Sequence, residues 1–193
     1  MLTTTLKRIR ANRPCEHGWA RLLRSLGKSS ADDEPIPYKF IVDSNGIEDA
    51  IWCCRAEPGL SREWRLFSAW CARRVVGFCS DKYSEAAIDT AERYANGLAD
   101  DAELELAFKE ARYEHRHLPS YERNVSAEFA AQDCSRNDIG IYVFGAFKHS
   151  FIAVGFDAGS KSDSSISDQL FAAKLAELKE VAIQTEKFIE IVS

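Results

Sequence analysis

Apolar residues recur at three- and four-residue steps along most of this chain, and the clearest run, Ser61 to Arg112, predicts three consecutive helices. In the first, Ser61 serves as N-cap, Glu63 sits in the positively polarised first turn, and Trp64, Phe67, Trp70, Cys71, Val75 and Phe78 form a broad apolar stripe. Arg62, Arg65, Arg73 and Arg74 fall largely off that stripe, and Ser80 and Asp81 end the helix and cap the next. Tyr83, Ala87, Ala91 and Tyr94 form the second stripe, which Asn96 and Gly97 close; Asp100 or Asp101 opens a third with Leu104, Phe108 and Ala111. The short connections make neighbouring helices antiparallel.

The flanking segments continue the pattern. Thr3, Thr4 or Thr5 caps a short helix through Asn12, with Leu2, Leu6 and Ile9 on one side and Lys7, Arg8 and Arg10 on the other. Glu16 to Leu26 forms a helix facing inward through Trp19, Leu22, Leu23 and Leu26, with Gly27 after its end. The polar segment 28–37 reads as a loop, residues 38–44 fit a short strand or a helical turn, and Ile47 to Ala56 returns to helical spacing. Pro119 marks Glu114 to Arg123 as a surface connection, and Asn124 to Cys134 is again helical, with Val125, Phe129 and Ala130 apolar.

Residues 139–156, IGIYVFGAFKHSFIAVGF, suit two structures. Their β-branched and aromatic content fits a β-hairpin, whereas a helix buried on most sides would use Gly140, Gly145 and Gly155 for close packing; the helical neighbours favour the helix. His149 within it reads as a core or rim residue. Residues 157–165 read as a flexible loop, after which an S-x-x-D cap at Ser165 and Asp168 starts a final helix to Ile191. Its stripe of Leu170, Ala173, Leu178, Val181, Thr185, Phe188 and Ile189 would pack across the domain or serve as a homodimer seam. The fold class is therefore all-α: a bundle of about seven to nine helices in one domain spanning residues 1–193, with a basic segment 1–28 and a variable part 113–193.

Composition narrows the setting. No apolar run approaches the roughly eighteen residues that span a bilayer, and the N-terminus lacks a secretion signal's apolar stretch, so a cytoplasmic chain with no membrane partner is expected. The six cysteines then read as small core residues, since they lack the C-x-x-C pairs of a zinc site, and neither metal nor cofactor is expected. The net charge of −5 is uneven: residues 1–28 hold seven Lys or Arg against one acid, leaving 18 bases against 29 acids in the remainder.

A resemblance adds to this reading. Over about residues 8 to 112 the chain resembles small helical proteins encoded by phages, prophages and other bacterial mobile regions, including proteins taken for immunity partners of toxins. The pieces that carry it are C-x-x-G-W at Cys15 to Trp19, ADDEP at Ala31 to Pro35, and DSNG followed by Trp52 and Cys53. The resemblance implies a helical fold and a mobile-element origin, and it brings no catalytic residues. After Arg112 the chain departs from that pattern.

Chemistry-bearing patterns are few: the chain has no P-loop, no dinucleotide glycine pattern, no G-x-S-x-G and no H-E-x-x-H. Two clusters remain. Lys7, Arg8, Arg10, Arg21 and Arg24 could contact phosphates, and His115, Arg116, His117 and Arg123 could form a polar site able to bind phosphate or move protons, although the solvated-loop reading is preferred. The expected function is non-enzymatic: a phage or mobile-element accessory protein that binds and inhibits a bacterial host protein or protein–nucleic acid complex, for instance an anti-CRISPR inhibitor. Toxin immunity or scaffolding, and direct nucleic-acid binding through the basic segment, are the alternatives.

Overall fold

The structure, a computed structural model, describes residues 1–79, 81–117, 125–161 and 165–193, with backbone only at 114–117 and 125. Among the described residues the fold is all-α: ten helices, nine of them of at least seven residues, joined by one small sheet. The helices are α1 (Leu6–Ala11), α2 (Glu16–Ser25), α3 (Tyr38–Asn45), α4 (Ile47–Cys53), α5 (Ser61–Arg73), α6 (Lys82–Ala95), α7 (Asp101–His117), α8 (Val125–Cys134), α9 (Ile139–Ser160) and α10 (Ile166–Val192).

Local chemistry explains most boundaries. Thr5 caps α1 by accepting from the Arg8 amide, and Asp81 caps α6 by accepting from the Ser84 amide at 2.7 Å. Asp100 and Glu103 form a reciprocal box at the start of α7, each side chain accepting from the other's backbone amide. Ser165 caps α10 together with Asp168. Ser61, by contrast, is the first residue inside α5 and makes no capping bond; its carbonyl accepts from the Tyr142 hydroxyl. That helix also stops at Arg73 rather than near Ser80, because the β-branched pair Val75-Val76 and then Gly77 favour a tight 3-10 turn over Val76–Phe78. Ser80 itself lies outside the described residues.

A two-stranded antiparallel sheet, not expected from the sequence, pairs β1 (Thr3–Thr5) with β2 (Pro35–Pro37) in the register Thr4↔Ile36. Its edge is closed from the far end of the chain: the Leu2 amide donates to the Val192 carbonyl at 2.7 Å.

Residues 139–156 belong to one helix, so the hairpin alternative is set aside, and α9 continues through Ser160 where a loop was expected. Gly140, Gly145 and Gly155 do permit close approach: a Cβ there would collide with Arg55, Asp133 and Glu177 respectively. Among the described residues α9 is the one helix long and apolar enough to cross a membrane by length and composition, which corrects the expectation that no run qualifies. Here it packs against α5, α8 and α10, burying Tyr142, Val143, Ala146, Phe147, Ser150 and Ala153.

The core has two parts. Tyr38, Trp64, Phe67 and Phe188 form a fully buried aromatic cluster, with Trp64 stacked on Phe188 at 6.0 Å and Phe67 edge-on to it at 5.2 Å. The polar tips are satisfied: Trp64 donates to the Glu57 carbonyl and Tyr38 to the Cys53 carbonyl. Where α8, α9 and α10 meet, the buried set instead includes Gln132, Asp133, Ser135, Ser150, Glu180 and Gln184.

Candidate functional site

The strongest candidate is a cleft formed by α1, α2, α3 and α4, and the strings C-x-x-G-W at Cys15 to Trp19 and DSNG at Asp43 to Gly46 build it. Cys15 ends the turn after Pro14, and its sulfur accepts from the Gly18 amide, capping α2. Only glycine fits at position 18, since a Cβ would stand 2.8 Å from Asp49 Oδ2 and 3.2 Å from the Cys15 sulfur. Asn45 then ties the two helical pairs together, donating through Nδ2 to the Gly18 carbonyl at 2.9 Å and to Asp49 Oδ2 at 2.8 Å. Gly46, at φ +95°, makes the left-handed turn between α3 and α4. C-x-x-G-W and DSNG are thus two sides of one joint, with Trp52 and Cys53 one turn further along α4.

The joint leaves a hollow of about 90 Å³, partly open to solvent, whose walls include Ile9, Trp19, Leu22, Ile41 and Trp52. Arginines stand along it. Arg10 lies over the Trp19 ring at 5.4 Å, Arg21 donates to the Asn45 carbonyl and meets His17, and Arg55 lies over the Trp52 ring at 4.5 Å. Of the five basic residues expected to meet phosphate, Lys7 and Arg8 are engaged inside the molecule by Asp33 and Glu57, Arg10 and Arg21 border the cleft, and Arg24 is exposed in the last turn of α2. Part of the ADDEP segment supplies this neutralisation, because Lys28 also pairs with Asp32 and Glu34.

The cleft has little reactive character. Burial pushes the Cys53 thiol up to about 12, and burial likewise raises the Cys54, Cys71 and Cys134 thiols, so these four are inert core residues. All six cysteines are free, and Cys15, at the cleft mouth, is exposed. Among the described residues no group of three or more His, Cys, Asp or Glu is placed to hold a metal ion.

The second predicted cluster changes character. His115, Arg116 and His117 continue α7 for its last turn instead of forming a surface loop; the reciprocal cap at Asp100 and Glu103 starts a helix that Pro119 would interrupt only two residues after His117. Arg123 lies outside the described residues. His149 sits at the rim, its Nδ1 2.9 Å from Asp133 Oδ2 and its ring stacked on Phe129.

Sequence reasoning missed the buried charges. Arg65, read as lying off the stripe, is 4% exposed. Its guanidinium lies 4.1 Å from the Tyr142 ring centre and donates to the carbonyls of Cys134 and Arg136, closing the C-terminal end of α8. Arg74 makes a two-pronged bond to Glu180, at 2.5 and 2.8 Å, and Gln184 bridges Glu180 to Ser150. The available signal was the placement of Arg65 next to Trp64 and of Arg74 one turn after Trp70.

In comparisons with known proteins, no protein family, curated protein or solved structure matches the chain. The functional reading therefore rests on the geometry above.

Proposed function

We propose that this chain is a non-catalytic binding protein, an accessory factor of a phage or other mobile element that works in the bacterial cytoplasm by occupying a host macromolecular complex and blocking it. An inhibitor of CRISPR immunity is the most concrete form of this reading. The observation that carries it is the cleft: an apolar hollow with two tryptophans and bordering arginines, in which burial holds the Cys53 thiol protonated. Such a site holds an aliphatic or aromatic side chain of a partner and anchors the acidic groups next to it. A second surface supports occlusion of a basic groove, since residues 81–113, covering α6 and most of α7, carry nine acids against four bases.

The test is capture of host proteins by the tagged full chain, beside Trp52→Ala and beside protein carrying a bulky maleimide on Cys15. A host complex retained by the unmodified chain, lost on cleft blockade and weakened steeply by salt is the expected result. Failure to retain any host component, or retention indifferent to both cleft changes, would overturn the reading.

Direct nucleic-acid binding is the second reading, favoured by one feature: the Arg10 guanidinium lies over the Trp19 ring, a pairing that suits single strands, with Arg21 at the same cleft through the Asn45 carbonyl. Saturable binding of a single-stranded oligonucleotide that disappears in Arg10→Ala/Arg21→Ala would select it over the first.

A further inference from the structure

The last helix packs on the bundle through one face and carries an apolar stripe on another. Toward α9 it presents Ala173, Glu177, Glu180, Gln184 and Phe188, the last three buried. On the other side Phe171, Leu175, Leu178 and Ala182 follow one another at steps of four, three and four residues, and at 100° per residue they fall within about 60° of each other around the helix. Thr185 and Ile189 continue the same rhythm into the part that meets the core. Phe171, Leu175 and Leu178 are 71%, 43% and 58% exposed. This is the stripe of a coiled coil with no second helix on it.

We infer that a second copy of this chain covers that stripe, the two α10 helices lying antiparallel about a two-fold axis. Three observations select this occupant. With Ala182 and Ile183 the exposed stripe offers on the order of 450 Å² of apolar surface per copy, about the apolar share of a standard interface of roughly 800 Å² per partner. The stripe is self-complementary: an antiparallel two-fold axis passing between positions 176 and 177 sets Phe171 of each copy against Ala182 of the other and Leu175 against Leu178, so that large meets small and the exposed lengths cover each other. A parallel arrangement would set Phe171 on Phe171 and Ala182 on Ala182. Finally, residues 166–186 hold four acids against two bases, a balance unsuited to an anionic bilayer.

The dimer is distinct from the N-terminal cleft and does not depend on what that cleft binds. Its test is sedimentation of the full chain from about 1 to 200 μM. A concentration-dependent dimer is expected, with Leu178→Glu monomeric at unchanged helicity because position 178 faces solvent within each copy. Phe171→Ala and Ala182→Phe should each weaken the dimer about tenfold, and the two together should restore it. A wild-type chain that stays monomeric throughout overturns the inference, as does a dimer indifferent to Leu178→Glu or a double swap no better than its single parents. Pelleting of a monomer with phosphatidylcholine vesicles would identify a lipid-facing stripe and overturn it equally.

Discussion

Around Trp64 the helices are pressed together by rings, whereas around Glu180 they are joined by hydrogen-bonded polar groups, although both neighbourhoods are shut off from water. In the first, Tyr38, Trp64, Phe67 and Phe188 each lie within 5.0 to 6.2 Å of a neighbouring ring, and stability comes from apolar area and close contact. In the second, Arg74, Glu180, Gln184 and Ser150 form a chain of bonds across α5, α9 and α10, whose attraction offsets the cost of drying those groups. The comparison teaches that similar helix packing rests on forces with different tolerances: rings forgive reshaping but not loss of volume, while the polar seam forgives joint replacement but not the loss of one member.

The largest test of that contrast is Trp64→Ala, which empties the centre of the aromatic cluster and should cost about 3–5 kcal/mol by urea unfolding. Next is Arg74→Ala. It leaves Glu180, whose side chain is 4% exposed, without its cation; with Arg74 itself 32% exposed, a loss of about 2–3 kcal/mol is expected. Replacing both members, Arg74→Leu/Glu180→Leu, should cost less than the single change, and a double mutant worse than Arg74→Ala would break the distinction drawn here.

Gly145→Ala comes third. A Cβ at that position falls inside the space of the buried Asp133 carboxylate, so a net loss of about 1–2 kcal/mol is expected despite alanine's better helix propensity. Gly77→Ala, which meets open space, is the control and should move stability by less than about 0.5 kcal/mol.

The smallest effect concerns the exposed pairs of the N-terminal side. The Asp32 carboxyl is held below its ordinary range by the hydrogen bond from Lys28, so its contribution is present above the unfolded pKa and is lost as pH falls through the folded one. The Lys28 ammonium is raised by Asp32 and Glu34, so its contribution is present below its unfolded pKa and is lost as pH rises through the folded one. Amide exchange in segment 28–34, taken relative to the intrinsic rate at each pH, should therefore be slowest across neutral pH and quicken on both sides. Added salt should quicken it too while leaving the Arg74–Glu180 seam unaffected.

Periodicity read the aromatic side well, because Trp64, Phe67 and Cys71 recur at helical steps and bury as a block. It failed on the polar seam, where Glu180 and Gln184 occupy inward positions that a hydropathy pattern assigns to solvent. It also merged the exposed and the buried positions of α10, since Leu178 is 58% exposed whereas Phe188 is buried. The cleft was half legible. Its motifs stood out as unusual strings, but that Gly18, Asn45 and Asp49 meet is a tertiary fact which spacing along one helix does not encode. The carboxylates that neutralise Lys7 and Arg8 lie 26 and 49 residues away, beyond the reach of a local charge count.

The bond from Leu2 to Val192 gives the molecule an order of assembly. The first strand can find its pairing partner at Ile36 early, but the amide at its entrance stays open until the final turn of the last helix arrives. During synthesis on the ribosome the Leu2 amide must therefore wait for Val192 to be made.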